Sequence, residues 1–202
     1  MQPLTLDDLL PLEEYVGRRP EFFAAQARYL DRYRRVRVGP QVTLVFENRQ
    51  TLWFRVQELL RVARLADPQL VQRELDWSGR LLPGRDRLAA ALVIDVPEGP
   101  DWAEGVQFWR DLAGEHVRLR LGDESVAARL VTARPEDRCA GTAHWLEFSV
   151  ADAARRALAD RRTPAVLAVD YKTYQHQSAP LSDAVRRSLL DDLELSDRDR
   201  AA

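Results

Sequence analysis

Apolar positions recur at helical spacing through the first third of the chain and at strand spacing through most of the remainder. Thr5 reads as an N-cap for a short helix over Leu6 to Leu10, with Asp7 and Asp8 in its first turn. Pro11 interrupts it, and Leu12 to Val16 forms a further turn. Pro20 takes the first position of a longer helix to about Arg34, with Phe22, Phe23, Tyr29, Leu30 and Tyr33 on one side. Extended segments follow at Val36 to Val38 and Val42 to Glu47, separated by Gly39-Pro40. Thr51 then caps a helix from Leu52 to about Ala66. Its core face is Leu52, Trp53, Val56, Leu59, Leu60 and Ala63, with Phe54 and Leu65 on the opposite side. Asp67-Pro68 opens a helix to about Trp77, and Leu82-Pro83-Gly84 is a turn.

The second half alternates. Leu88 to Val96 is apolar on both sides of the pleat, as in a central strand. Asp101 to Leu112 is helical. His116 to Leu121 and Val126 to Ala133 flank Gly122-Asp123-Glu124, a hairpin signal. Thr142 to Val150 is a strand, Asp152 to Arg161 a helix and Ala165 to Tyr171 a strand. Ser182 caps a last helix to Leu193. The pattern predicts an α+β fold: an antiparallel or mixed sheet of about five to six strands, with an N-terminal helical layer and a C-terminal helix. Residues 1–193 form a single globular domain, and 194–202 are a frayed charged tail.

Composition narrows the classes. The chain has 202 residues, 46% hydrophobic and 31% charged, so it can bury enough apolar surface to order itself. A single cysteine, Cys139, excludes a disulfide framework, and no stretch reaches the length of a membrane span. One thiol and an N-terminus without an export signal point to the cytoplasm. Lys and Arg total 30 against 32 Asp and Glu, a net charge of −2 that disfavours a generally basic nucleic-acid binder. Lys172 is the one lysine among those bases, and the arginine excess reads as a genome signature on solvated faces. It hides one local concentration, Arg28 to Arg37, in which Arg28, Arg32, Arg35 and Arg37 form a basic patch interleaved with tyrosines.

Candidate chemistry is sparse. His116 shares a strand face with Arg118 and Arg120 and is expected at the surface. His144 shares a face with Leu146, Phe148 and Val150 and is expected in the core. His176 lies in a polar segment. No two histidines have ligand spacing, so neither a metal nor a cofactor is expected. Cys139 reads as an unremarkable surface thiol without a resolving partner. Glu47-Asn48-Arg49 joins a strand to a helix, where free backbone N–H groups suit an anion or small polar ligand. Gln57 and Glu58 follow on the helix, Glu58 as a candidate acid or base. Phe54, Glu58, Arg61 and Leu65 make a mixed second face suited to a protein partner.

The blocks Thr5 to Leu10, Arg34 to Gly39, Phe46 to Arg61 and Leu82-Pro83-Gly84 together resemble a bacterial family catalogued as a domain of unknown function, DUF3501. The likeness spans the chain and is strongest up to about Val96. Members are often encoded beside rubrerythrin-like and iron–sulfur proteins. The resemblance therefore implies an accessory role near peroxide defence or electron transfer, with such a protein as partner. It carries no catalytic residues, and the chain lacks the Glu-x-x-His pairs of a di-iron bundle. The leading expectation is a cytoplasmic binding protein. The alternatives are an enzyme acting on a small polar substrate at Glu47-Asn48-Arg49, and nucleic-acid binding through the arginine patch.

Overall fold

Pro20 lies inside a helix rather than at the start of one. In the computed structural model of the chain, which describes residues 1–131 and 143–198, a 3-10 turn at Leu6–Asp8 precedes α1, a continuous helix over Leu12–Tyr33. An interior proline removes a backbone hydrogen bond and crowds the preceding turn, which costs about 3 kcal/mol. Packing on both sides of Pro20 offsets this. Tyr15 before it and Phe22 after it stack at 5.6 Å, and both meet the ring of Trp53 at steep angles.

Trp53 belongs to α2, Arg49–Ala63, which starts one turn before the expected Leu52. Asn48, not Thr51, is its N-cap. Asn48 Oδ1 accepts the Thr51 backbone N–H at 3.1 Å, and the Thr51 hydroxyl accepts the Asn48 N–H at 2.9 Å, a reciprocal cap. Asp67 caps α3, Pro68–Gly79, as the Asp-Pro pair predicts.

Eight strands lie among the described residues: β1 Arg35–Val38, β2 Val42–Phe46, β3 Arg87–Ile94, β4 Val117–Leu121, β5 Glu124–Val131, β6 Ala143–Ser149, β7 Ala165–Tyr171 and β8 Tyr174–Gln177. Every pairing is antiparallel, in the order β1-β2-β3-β6-β5-β4-β7-β8. The α+β class holds, and the estimate of five to six strands is corrected to eight. The edge strands are short, and β8 exposes three of its four residues, so it lacks the apolar alternation that marks a half-buried strand.

The sheet curls into a nearly closed barrel. The Tyr174 hydroxyl on β8 donates to the Val38 carbonyl at 2.5 Å and accepts the Gln41 and Val42 N–H groups at 3.1 and 3.2 Å. One phenol thus joins the last strand to the first hairpin. Gly39 permits this approach: its φ is +70°, and a Cβ there would fall 2.6 Å from both Tyr174 Oη and the His176 ring.

Inward-facing residues of the strands, including Leu44, Phe46, Leu92, Leu119, Phe148 and Leu167, form the main core. Trp109 of α4 (Trp102–Trp109), Leu158 of α5 (Asp152–Ala159) and Leu189 of α6 (Asp183–Arg198) join it. Helix α6 runs past the expected end at Leu193. A second core lies between α2, α3 and the outer face of the sheet, where Leu52, Val56 and Leu75 meet Ala89 and Val131. The expected N-terminal helical layer is this one, with α1 outermost.

Candidate functional site

The residues of the strand–helix junction separate. Glu47, at the end of β2, is 1% exposed and accepts from the Thr51 hydroxyl and the Arg55 guanidinium. Asn48 donates from Nδ2 to the Tyr29 hydroxyl at 2.8 Å, which also accepts from Arg34 Nε at 3.1 Å. Arg49 turns away to pair with Asp8 at 2.6 Å, and its backbone N–H points at the Met1 sulfur at 3.3 Å. The polar groups expected to meet a ligand there are thus engaged with the protein itself. Gln57 is also buried, with Nε2 directed at the Leu10 carbonyl at 3.4 Å.

Glu58 is a hub between α1 and α2. Its carboxylate accepts both prongs of Arg19 at 2.8 and 2.9 Å, both prongs of Arg61 at 3.2 and 3.0 Å, and the Tyr15 hydroxyl at 2.9 Å. Hydrogen bonding from Arg19, with Arg61 and Tyr15 assisting, holds its pKa down to about 2. A carboxylate so held stays ionised near neutrality and acts as a tether rather than a proton carrier. Burial and the neighbouring Glu58 push the Tyr15 phenol well above its usual range.

A cleft of about 260 Å³ opens between α1, α2 and β2. Leu30, Val45 and Phe54 give it apolar walls, and Gln26, Thr51, Arg55 and Glu58 give it polar ones. Glu47 reaches it only through Thr51 and Arg55. Gln26 is 8% exposed, and its amide makes no hydrogen bond to a described residue. Arg55 lies 5.6 Å over the Trp145 ring, and its buried Nε has no hydrogen-bond partner. Neither Gln26 nor Arg55 stands out in the sequence: a lone glutamine on an aromatic-rich helix face carries no motif.

The second face of α2 is shared out among neighbours. Phe54 meets Phe23 of α1 at 6.2 Å, Glu58 and Arg61 belong to the hub, and Leu65 packs against the second core. What stays open lies beside it. Leu12, Val16 and Phe23 of α1 are 44%, 49% and 54% exposed, and Val62 of α2 is 68% exposed.

Of the basic patch, Arg28, Arg32, Arg35 and Arg37 are all exposed. Arg35 pairs with Asp31, Arg37 donates to the Pro40 carbonyl at 3.1 Å, and Arg32 lies 5.1 Å from the Tyr33 ring centre. The fifth arginine of this run, Arg34, is buried and paired with Asp192 of α6.

His116 is corrected: it ends a 3-10 turn ahead of β4, half-buried, with Nδ1 accepting the Ala113 N–H at 2.9 Å and its ring against Tyr171. His144 is half-buried, and His176 is exposed on β8. Cys139 lies outside the described residues. No group of three His, Cys, Asp or Glu that could hold a metal occurs among the described residues. No described helix is long and apolar enough to cross a membrane.

No curated protein matches the chain. Among solved structures it is similar to a novel protein of unknown function from Burkholderia pseudomallei K96243, with 28% identity and a TM-score of 0.84 over 95% of this chain and 100% of that one. The sequence matches the family model described as "Protein of unknown function (DUF3501)" over residues 3–193, from ahead of the first 3-10 turn into α6. The chain therefore belongs to the DUF3501 family.

Proposed function

We propose that this chain is an accessory protein that binds a protein partner through the outer face of its helical layer. The carrying observation is the exposed apolar rim on α1 and α2. Leu12, Val16 and Phe23 lie within about 40° of one another on the helical wheel, since positions i, i+4 and i+11 nearly coincide. Contacts between Tyr15 and Glu58 and between Phe23 and Phe54 run α1 antiparallel to α2, which brings Val62 to the same end as Leu12. Within this rim sits the locked Arg19–Glu58–Arg61 cluster, two cations on one anion. Apolar anchors around a pre-ordered charged centre suit a partner that offers an apolar patch with acidic neighbours.

The family resemblance directs the choice of partner to a rubrerythrin-like or iron–sulfur protein, and hence to peroxide defence or electron transfer. Titration of the purified chain against such a protein tests this. Phe23→Glu and Val62→Glu should each weaken binding about tenfold or more, with unchanged circular dichroism. Binding indifferent to both substitutions would remove the helical face from the interaction.

A further inference from the structure

We infer that the cleft between α1 and α2 binds a small carboxylate with an apolar body. At about 260 Å³ it is smaller than pockets for drug-sized ligands, which start near 300 Å³. It therefore suits a molecule the size of a short-chain or single-ring acid. Leu30, Val45 and Phe54 would cover the apolar part.

Two groups remain for the polar end. Gln26 as a residue is more than nine-tenths buried and lines the cleft, and its amide makes no hydrogen bond to a described residue. The amide is not among the buried atoms left without a partner, so on a largely buried side chain it stays open to the cleft and is available to bond an occupant. Arg55, which lines the same cleft from α2, gives one Nη to Glu47, and its buried Nε has no acceptor. Its side chain is 41% exposed, so the guanidinium is not sealed by the fold.

The local charges decide the sign of the ligand. Arg55 is balanced by Glu47, whereas Glu58 is outnumbered by Arg19 and Arg61, which leaves the surroundings one charge positive. A metal cation is disfavoured, because the Glu47 and Glu58 oxygens already accept hydrogen bonds from the protein. A carboxylate satisfies both requirements: one oxygen takes the Gln26 NH2 and the other an Nη N–H at the open end of the Arg55 guanidinium. Neither Gln26 nor Arg55 belongs to the exposed rim, so substituting them leaves the docking residues in place and separates this test from that of partner binding.

Titration of the isolated, full-length protein by heteronuclear NMR with butyrate, hexanoate and benzoate tests it, with acetate and benzamide as controls. Hexanoate or benzoate should give saturable shifts in α1 and α2. Acetate, which lacks the apolar body, and benzamide, which lacks the charge, should bind at least tenfold more weakly. Gln26→Leu and Arg55→Met should each weaken carboxylate binding at least tenfold. Gln26→Glu, which keeps size and polarity but adds a negative charge, should abolish it. Absence of saturable binding by all three acids at millimolar concentration would overturn the assignment. So would binding that survives Gln26→Glu in a variant shown to be folded.

Discussion

Arg34 and Asp192 form a buried two-pronged ion pair that ties the end of α1 to the C-terminal helix across 158 positions of sequence. Both side chains are 3% exposed. Arg34 also donates to Tyr29, which accepts from Asn48, so the pair continues into the cap of α2. Removing one member of a buried pair strands the other charge, a loss of about 3–5 kcal/mol, whereas replacing both with apolar groups is far less damaging. Arg34→Met should therefore destabilise by about that amount in urea unfolding. Adding Asp192→Leu should recover part of the loss. Strictly additive losses would show that the two groups do not stabilise each other.

Glu58 gives the acid limb of stability a specific source. Its pKa is lowered from 4.5 to about 2, chiefly by Arg19. A lowered folded-state value means that the contribution is complete above about pH 5 and disappears as pH falls toward 2. Thermal melts of Glu58→Gln should lie below wild type at pH 7, and the gap should narrow steadily below about pH 4.5. A gap constant from pH 7 to pH 2 would assign the effect to packing rather than to charge.

Arg186 of α6 closes the end of α5. Its guanidinium donates to the carbonyls of Ala157, Leu158, Asp160 and Thr163 at 2.6 to 3.0 Å. These are groups that a helix terminus and its following turn leave without partners. Arg186→Met should cost about 3 kcal/mol and speed amide exchange in α5 and the Asp160–Thr163 turn. Arg186→Lys should fail to restore it, because a single ammonium cannot reproduce the planar fork. Full rescue by lysine would mean that charge alone suffices.

Tyr174→Phe removes only the hydroxyl that bridges β8 to the first hairpin. The Val38 carbonyl and two backbone N–H groups then lose a partner, for an expected loss of about 1–3 kcal/mol. Amide exchange should accelerate most at Gln41 and Val42. Unchanged protection at those two amides would show that the barrel closes without the phenol.

Local signals served best where one rule dominated. Asp67-Pro68 marked α3, the Gly122-Asp123 turn marked the β4–β5 hairpin, and the uninterrupted apolar run marked β3, which is paired on both sides and covered on both faces. Errors arose where distant contacts overrode a local preference. Pro20 reads as a helix start, yet the Tyr15–Phe22–Trp53 cluster carries α1 through it. Thr51 reads as a cap, yet it is the third residue of a helix capped by Asn48, an equally good capping type one turn earlier. β8 has almost no apolar pattern because its closure depends on one tyrosine.

The candidate site was legible only in outline. The sequence pointed to the Glu47–Glu58 region, but tertiary pairing decides which of its polar groups are already satisfied. Glu47, Asn48, Arg49 and Glu58 all find partners within the chain. The cleft-lining Gln26 and the unpartnered Arg55 Nε become visible only once α1 lies beside α2.

Site-specific photocross-linking in the host tests the α1–α2 docking face most directly. A benzophenone amino acid at position 23 should yield one discrete adduct, containing a rubrerythrin-like or iron–sulfur protein by mass spectrometry, and Val62→Glu should abolish it. The same probe at Arg156, on the distant α5, should yield none. Equal adducts at both positions, or a position-23 adduct unaffected by Val62→Glu, would contradict the docking face proposed here.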